Sequence, residues 1–243
     1  MEKSIQLVPT PFLEGSLTVY QPEKGFRFGI DSVLLAHFLT LKPKELILEV
    51  GAGSGIISLI ALRRFPKCKI FALELENLFV ECLKKNVSEN KLENKLFTIK
   101  GDIKNPPFKR EIFDVIFSNP PYFKSEAGRK SPYEIENIAR RDENFDLNEF
   151  LKNVSSLLKN RGRFYLIFTA LRLAELIYLL KKNRLEPKLL RLVYSYPGSE
   201  AKLALLSAVK FAGEELRILP PLYVYNSPKG NYTEEVKSFF KKL

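Results

Sequence analysis

The apolar run Phe113-Asp114-Val115-Ile116-Phe117-Ser118 stops at Asn119-Pro120-Pro121-Tyr122. Consecutive prolines lack backbone N–H groups and cannot extend a strand or a helix. A buried strand is thus delivered to a rigid turn carrying an amide and an aromatic ring. A second interruption, Glu49-Val50-Gly51-Ala52-Gly53-Ser54-Gly55, follows another apolar run. Glycines there permit positive φ and let a ligand approach the backbone. A helix that starts at once leaves its first N–H groups facing that loop. The GxGxG spacing differs from the GxGxxG of dinucleotide binders, and a nucleoside with a carboxylate-bearing tail fits it better. Roughly twenty residues on, Glu74 ends the next run, where a carboxylate can accept both ribose hydroxyl protons. Glu76 is the alternative. Gly101-Asp102 ends the run after that, and an Asp there can accept from the exocyclic amine of an adenine. Each acid alone reads as a solvated loop carboxylate. Together, at the carboxyl ends of successive strands, they trace the crevice where open α/β sheets bind ligands.

Those residues need a scaffold, and the pattern supplies one. Strands are expected at 45–50, 69–75, 95–101, 113–118, 163–168, 187–196 and 202–211. Helices are expected at 31–41, capped by Asp31 and stopped near Pro43, and at 54–65, 77–90, 147–160, 170–183 and a short tail segment capped at Thr233. Asp146 is the expected cap of the helix at 147. Near-continuous apolar strands alternating with helices mean βαβ units around a parallel sheet covered on both faces. The last two strands have no helix between them and are expected to pair as an antiparallel hairpin at one sheet edge. Residues 1–25, with Pro9, Pro11 and Pro22, read as irregular.

With 45% apolar and 28% charged residues, the 243-residue chain is a globular α/β protein rather than a disordered one. One domain is expected over 1–243: an extension at 1–44 that covers the ligand site, a core at 45–211 and a tail at 212–243. The net charge of +11 favours a polyanionic partner through phosphate neutralisation and counterion release. Cys68 and Cys82 form no ligand cluster, so no metal is expected and both read as reduced thiols. His37, the single histidine, reads as a packed residue rather than a catalyst. The N-terminus has no long apolar core and no apolar run reaches a membrane span, so the expected location is the cytoplasm, with no membrane partner. A monomer is favoured, although the sequence leaves the oligomeric state open.

The order EVGAGSG, acidic residue, GD, NPPY resembles class I S-adenosylmethionine-dependent methyltransferases over roughly residues 45–168. The resemblance implies a Rossmann-like fold with a seven-stranded, mostly parallel sheet and S-adenosyl-L-methionine as cofactor. It implies that Glu49 and Gly51, Ala52, Gly53 and Gly55 lie against the methionine moiety, Glu74 holds the ribose, and Asp102 with Ile103 faces the adenine. NPPY in this family serves methyl transfer to a planar nitrogen, an adenine amine or a glutamine amide. The lone pair of such a nitrogen is delocalised, which makes it a poor nucleophile. The Asn119 side-chain oxygen and the Pro120 carbonyl each accept one of its N–H bonds and draw it toward tetrahedral geometry. Pro121 keeps that turn rigid, and Tyr122 or Phe123 offers a face for stacking a flipped-out base.

The flanks, YQPEKGFRFGIDSVLLAHF at 20–38 and the tail LPPLYVYNSPKGNYTEE, look like the tRNA1(Val) adenine-N6 methyltransferase family. That likeness extends over about residues 12–235 and implies tRNA as partner, the target being the adenine next to the anticodon. Gln21, Phe26, Arg27 and Asp31 would close over the cofactor, while Lys124, Arg129, Lys130, Arg140 and Arg141 would flank the target base, with Arg140 and Arg141 on phosphates. A second basic set, Lys181, Lys182, Arg184, Lys188 and Arg191, reads as solvated surface. The alternative is a protein glutamine-N5 methyltransferase acting on a release factor or ribosomal protein. Such enzymes carry an N-terminal helical domain, and about forty residues before the first strand are too few for one. A guanine-N2 rRNA enzyme, an inactive nucleic-acid-binding module and a nicotinamide dehydrogenase fit less well.

Overall fold

The computed structural model describes residues 6–24, 27–121 and 145–243. The chain opens with an antiparallel hairpin, β1 (Leu7–Phe12) and β2 (Leu17–Pro22), where irregular chain was expected. The prolines that suggested irregularity sit on a strand with a single partner, where a missing N–H costs no ladder bond. The alternation of β2 was the overlooked signal, since Leu17, Val19 and Gln21 all face inward.

Helix α1 (Ile30–Phe38) follows. Its N-cap is Gly29, and Asp31 lies inside the first turn instead of capping it, because its carboxylate is engaged elsewhere. The alternating core is β3 (Leu46–Val50), α2 (Ile56–Arg64), β4 (Lys69–Glu74), α3 (Asn77–Glu89), β5 (Leu96–Lys100) and β6 (Phe113–Ser118). Beyond the segment at 122–144, α4 (Leu147–Leu157) is capped as expected by Asp146, whose side chain accepts from the N–H groups of Asn148 and Glu149. It ends early, and β7 (Leu158–Thr169) begins at once; a register shift against β6 absorbs Arg161, whose φ is 64°. A 3-10 turn (Ala170–Arg172) and α5 (Leu173–Lys182) lead to β8 (Leu185–Tyr194) and β9 (Ala201–Lys210). The tail adds the two-residue strands β10 (Arg217–Ile218) and β11 (Leu222–Tyr223) and helix α6 (Glu234–Ser238), capped as expected by Thr233.

The expected seven strands are β3 to β9, in spatial order β5-β4-β3-β6-β7-β9-β8. Within that series only β9 runs against the others, inserted between β7 and β8. The outer edge of β8 is covered by β10 and β11, so the hairpin is not left open. The seven-stranded, mostly parallel sheet with its antiparallel edge hairpin is as expected, extended to nine strands.

Apolar clusters fill both faces of the sheet. One joins α1, α2 and α3 to the hairpin and to Leu222, Val224 and Val236 of the tail. The other holds α4 and α5 against β6 to β9. The tail reaches back over α1: the Phe239 ring stacks on His37 at 4.2 Å, and His37 Nε2 lies 3.2 Å from the Phe239 carbonyl. Burial, aided by Arg64, pulls the His37 pKa down to about 4, which suits a packed neutral imidazole. Cys68 and Cys82 are both free thiols and buried. The second basic set is largely committed locally, with Arg191 bidentate on Glu235 and Lys181 on Glu214.

Candidate active site

Strand order reverses at β3, which has β4 on one side and β6 on the other. Chains leaving the carboxyl ends of β3 and β6 therefore part around a crevice, the place where open α/β sheets hold ligands. Val50 and Ser118 are register partners there, and the Ser118 hydroxyl donates to the Val50 carbonyl at 2.8 Å. Gly51 and Asn119 thus emerge side by side.

The glycine loop is held by the neighbouring strand. The N–H groups of Gly51 and Ala52 both donate to the Leu73 carbonyl, at 2.9 and 3.1 Å. Gly51 and Gly53 have φ of 69° and 56°, and a Cβ on either would project into open space. Both are thus required by conformation, and both leave backbone accessible to a ligand. Gly55 has a φ of 81° and is packed as well: a Cβ there would collide with the Leu83 side chain of α3.

Glu74, at the end of β4, is buried and bridges two elements. Its Oε2 accepts from the Gly53 N–H at 2.7 Å and its Oε1 from the Glu76 N–H at 2.8 Å. The expected ribose acceptor therefore also shapes the glycine loop. Glu76, the alternative, is exposed at the start of α3. Asp102 follows β5 and is partly buried; its Oδ1 accepts from the Lys104 N–H at 2.9 Å. Ile103 packs against the core beside it.

Glu49 is the most perturbed acid of the site. Its Oε2 accepts from the Ser58 N–H at 3.2 Å and from the Ser58 hydroxyl, while its Oε1 is buried with no hydrogen-bond partner. Burial pushes its pKa up to about 8. A buried carboxyl oxygen without a partner, just before an open glycine loop, suits a ligand that brings a polar, hydrogen-bonding group. On that ground the residues fit a nucleoside with an amino-acid tail.

Asn119 is fixed from the far end of the chain. Its side-chain nitrogen donates to Asp31 Oδ2 at 3.0 Å and to Ser32 Oγ at 3.1 Å, both in the first turn of α1. Pro120 is buried and Pro121 exposed. Gln21 and Arg27 serve the same segment. Gln21, buried, accepts from the Phe28 N–H at 3.1 Å, and Arg27 donates to the Thr10 hydroxyl at 3.0 Å. They tie the hairpin to the lead-in of α1. Phe26, Tyr122, Phe123, Lys124, Arg129, Lys130, Arg140 and Arg141 lie outside the described residues.

Two residues at the site escaped the sequence reading. Ser32 carried no signal of its own. Asn86, fully buried in α3, accepts from the Tyr20 N–H at 2.6 Å and donates to the Tyr20 and Ser54 carbonyls at 3.0 and 2.8 Å. It clamps the hairpin to the glycine loop. Its signal was an amide three residues after Leu83, on the apolar face of an amphipathic helix. Among the described residues no group of three His, Cys, Asp or Glu could hold a metal ion.

The family model described as "Methyltransferase small domain" matches residues 27–175. A relative from Phocaeicola vulgatus, named tRNA1(Val) (adenine(37)-N6)-methyltransferase, is 30% identical over 242 residues, covering 97% of this chain and 100% of its own. Among solved structures, a predicted O-methyltransferase from Agrobacterium tumefaciens superposes with a TM-score of 0.69 at 18% identity, over 86% of this chain and 94% of its own. The geranyl diphosphate C-methyltransferase of Streptomyces coelicolor, solved with S-adenosyl-L-homocysteine, gives 0.55 at 15% identity, over 73% and 78%. At those identities the structural likeness speaks for the fold.

Proposed function

We propose that this chain, which belongs to the methyltransferase small domain family and uses S-adenosyl-L-methionine, methylates the N6 amino group of an adenine in tRNA. The target we assign is the adenine next to the anticodon of tRNA1(Val), as the name of the relative matched end to end suggests. The observation that carries the reading is the asparagine–proline–proline turn leaving β6 beside the glycine loop leaving β3, with the asparagine nitrogen turned toward α1.

The cofactor supplies an electrophilic methyl group on a sulfonium. Gly51, Ala52, Gly53 and Gly55, with Glu49 beneath, would hold its amino-acid tail, Glu74 its ribose, and Asp102 with Ile103 its adenine. Asn119, whose nitrogen donates to α1, would accept from the target amine through its side-chain oxygen, and the Pro120 carbonyl would accept the second N–H. The amine then loses conjugation and its lone pair is aimed at the methyl group, an effect of orientation rather than of base strength. The surplus proton leaves after transfer. Tyr122 or Phe123 stacks the extruded base, and Lys124, Arg129, Lys130, Arg140 and Arg141 meet the flanking phosphates. Residues 1–243 act as one methyltransferase unit, in the cytoplasm, as a monomer. No helix among the described residues is long and apolar enough to cross a membrane.

Glutamine-N5 methylation of a release factor or ribosomal protein would use the same turn, and label partition separates the two. The protein is incubated with methyl-labelled cofactor and an extract from cells lacking it. The expected label is sensitive to ribonuclease and resistant to protease. Protease-sensitive label would replace the RNA reading with the protein one.

A further inference from the structure

We propose that a basic cavity on the edge of the sheet opposite the crevice is a second RNA contact, which takes a backbone phosphate of the tRNA between Lys152, Lys182 and Arg184. This contact, which rests on the RNA reading above, would hold the body of the molecule rather than its target base. The cavity has a volume of about 290 Å³ and lies where α4 runs into β7, α5 leads to β8, and β9 ends. Phe113 of β6 pairs with Leu158 of β7 at this edge, and Ser118 with Leu166 at the other. The length of a strand, roughly 20 Å, thus separates the cavity from the crevice.

Charge is unbalanced here. None of the described residues lining the cavity is acidic. Lys210 also lines it but is buried, and Glu111 answers its charge: Lys210 Nζ donates to Glu111 Oε1 at 2.8 Å and to the Leu158 carbonyl at 2.9 Å. Lys152, Lys182 and Arg184 are exposed and have no acidic partner among the described residues, unlike Lys181 and Arg191. The carbonyl end of α5 attracts a cation such as Lys182. That does not account for Lys152, which lies before the last turn of α4, nor for Arg184. The Arg184 N–H donates to the Lys181 carbonyl at 3.0 Å with φ of 60°, a place after a helix that glycine fills at least cost. The chain keeps an arginine there, with its guanidinium 5.5 Å from the centre of the Phe211 ring. Phe211 is left-handed too, with φ of 54°, and its N–H donates to the Arg184 carbonyl at 3.0 Å. Two strained residues therefore hold a planar, always charged donor at an open cavity, and a guanidinium so held matches the geometry of a phosphate.

Arg184→Gly separates a binding role from a helix-ending one. Glycine suits the left-handed backbone, so Tm should be no lower than that of the unaltered protein, while tRNA binding should weaken about threefold. Lys152→Gln, Lys182→Gln and Arg184→Gln together should weaken tRNA binding about tenfold or more and flatten the slope of log K on log salt by roughly two to three. Turnover at saturating tRNA and cofactor affinity should stay within about twofold, since the phosphate contact positions the RNA without touching the reacting groups. If the unaltered protein binds tRNA and the triple variant keeps its affinity and slope, this contact is overturned and the substrate reading stands. Inorganic phosphate that raises the Tm of the unaltered protein but not of the triple variant, with tRNA affinity equal in both, would make the cavity a small-anion site and overturn the RNA contact as well. An unaltered protein that does not bind tRNA would overturn both this contact and the substrate reading.

Discussion

The Glu49 carboxyl has one oxygen bonded to Ser58 and the other without a partner, and burial holds its pKa near 8 against an ordinary 4.5. The folded chain therefore binds this proton more tightly than the unfolded chain does. Its contribution to stability is complete below the unfolded value and is lost as pH rises toward the folded one. Glu49→Gln removes that titration, so its Tm should gain on that of the unaltered protein between about pH 5.5 and about pH 8. Parallel curves would show that Glu49 is not protonated in the fold. That an acid opens the glycine loop was readable in the sequence; its protonation was not, because it depends on burial within the fold, which outweighs the opposing Ser58 hydrogen bonds. The same holds for Asn119. Its turn was plain in the chain, but its partner Asp31 lies 88 positions away, and no local pattern joins them.

At the scale of elements, the inner strands β3, β4, β6, β7 and β9 were legible because each carries a mostly apolar buried run. The hairpin β1–β2 was not, since its prolines and glycine mimic loop punctuation while an exposed edge tolerates them. Asn86 makes this hairpin part of the site. Its amide acts on Tyr20 as a neighbouring strand would, and its third bond fixes the Ser54 carbonyl of the glycine loop. Asn86→Ala would leave three buried backbone groups without partners, a cost on the order of 3 kcal/mol. A Tm lower by roughly 6–12 °C is expected, together with weaker cofactor binding by calorimetry. Asn86→Asp keeps the acceptor but loses both donor bonds, and should be nearly as damaging. Unchanged cofactor affinity in a folded Asn86→Ala protein would detach the hairpin from the glycine loop.

The whole molecule carries a net charge of +11, and two basic residues of its C-terminal half, Lys181 and Arg191, are already paired with Glu214 and Glu235. The sequence displayed the charge but not this pairing, which depends on the tail returning over β8. RNA attraction is then assigned to the basic residues after the Asn119 turn. Arg140→Glu with Arg141→Glu should weaken tRNA binding and flatten the dependence of log K on log salt by roughly two phosphate contacts. An unchanged slope would place the RNA surface elsewhere. The charge favours RNA without naming an atom, whereas the Asn119 turn suits a planar nitrogen without naming the molecule that carries it. One measurement joins them: methylate purified tRNA1(Val) lacking the modification, digest it to nucleosides and identify the labelled one by mass and chromatography. The account predicts N6-methyladenosine, and label in any other nucleoside would contradict it.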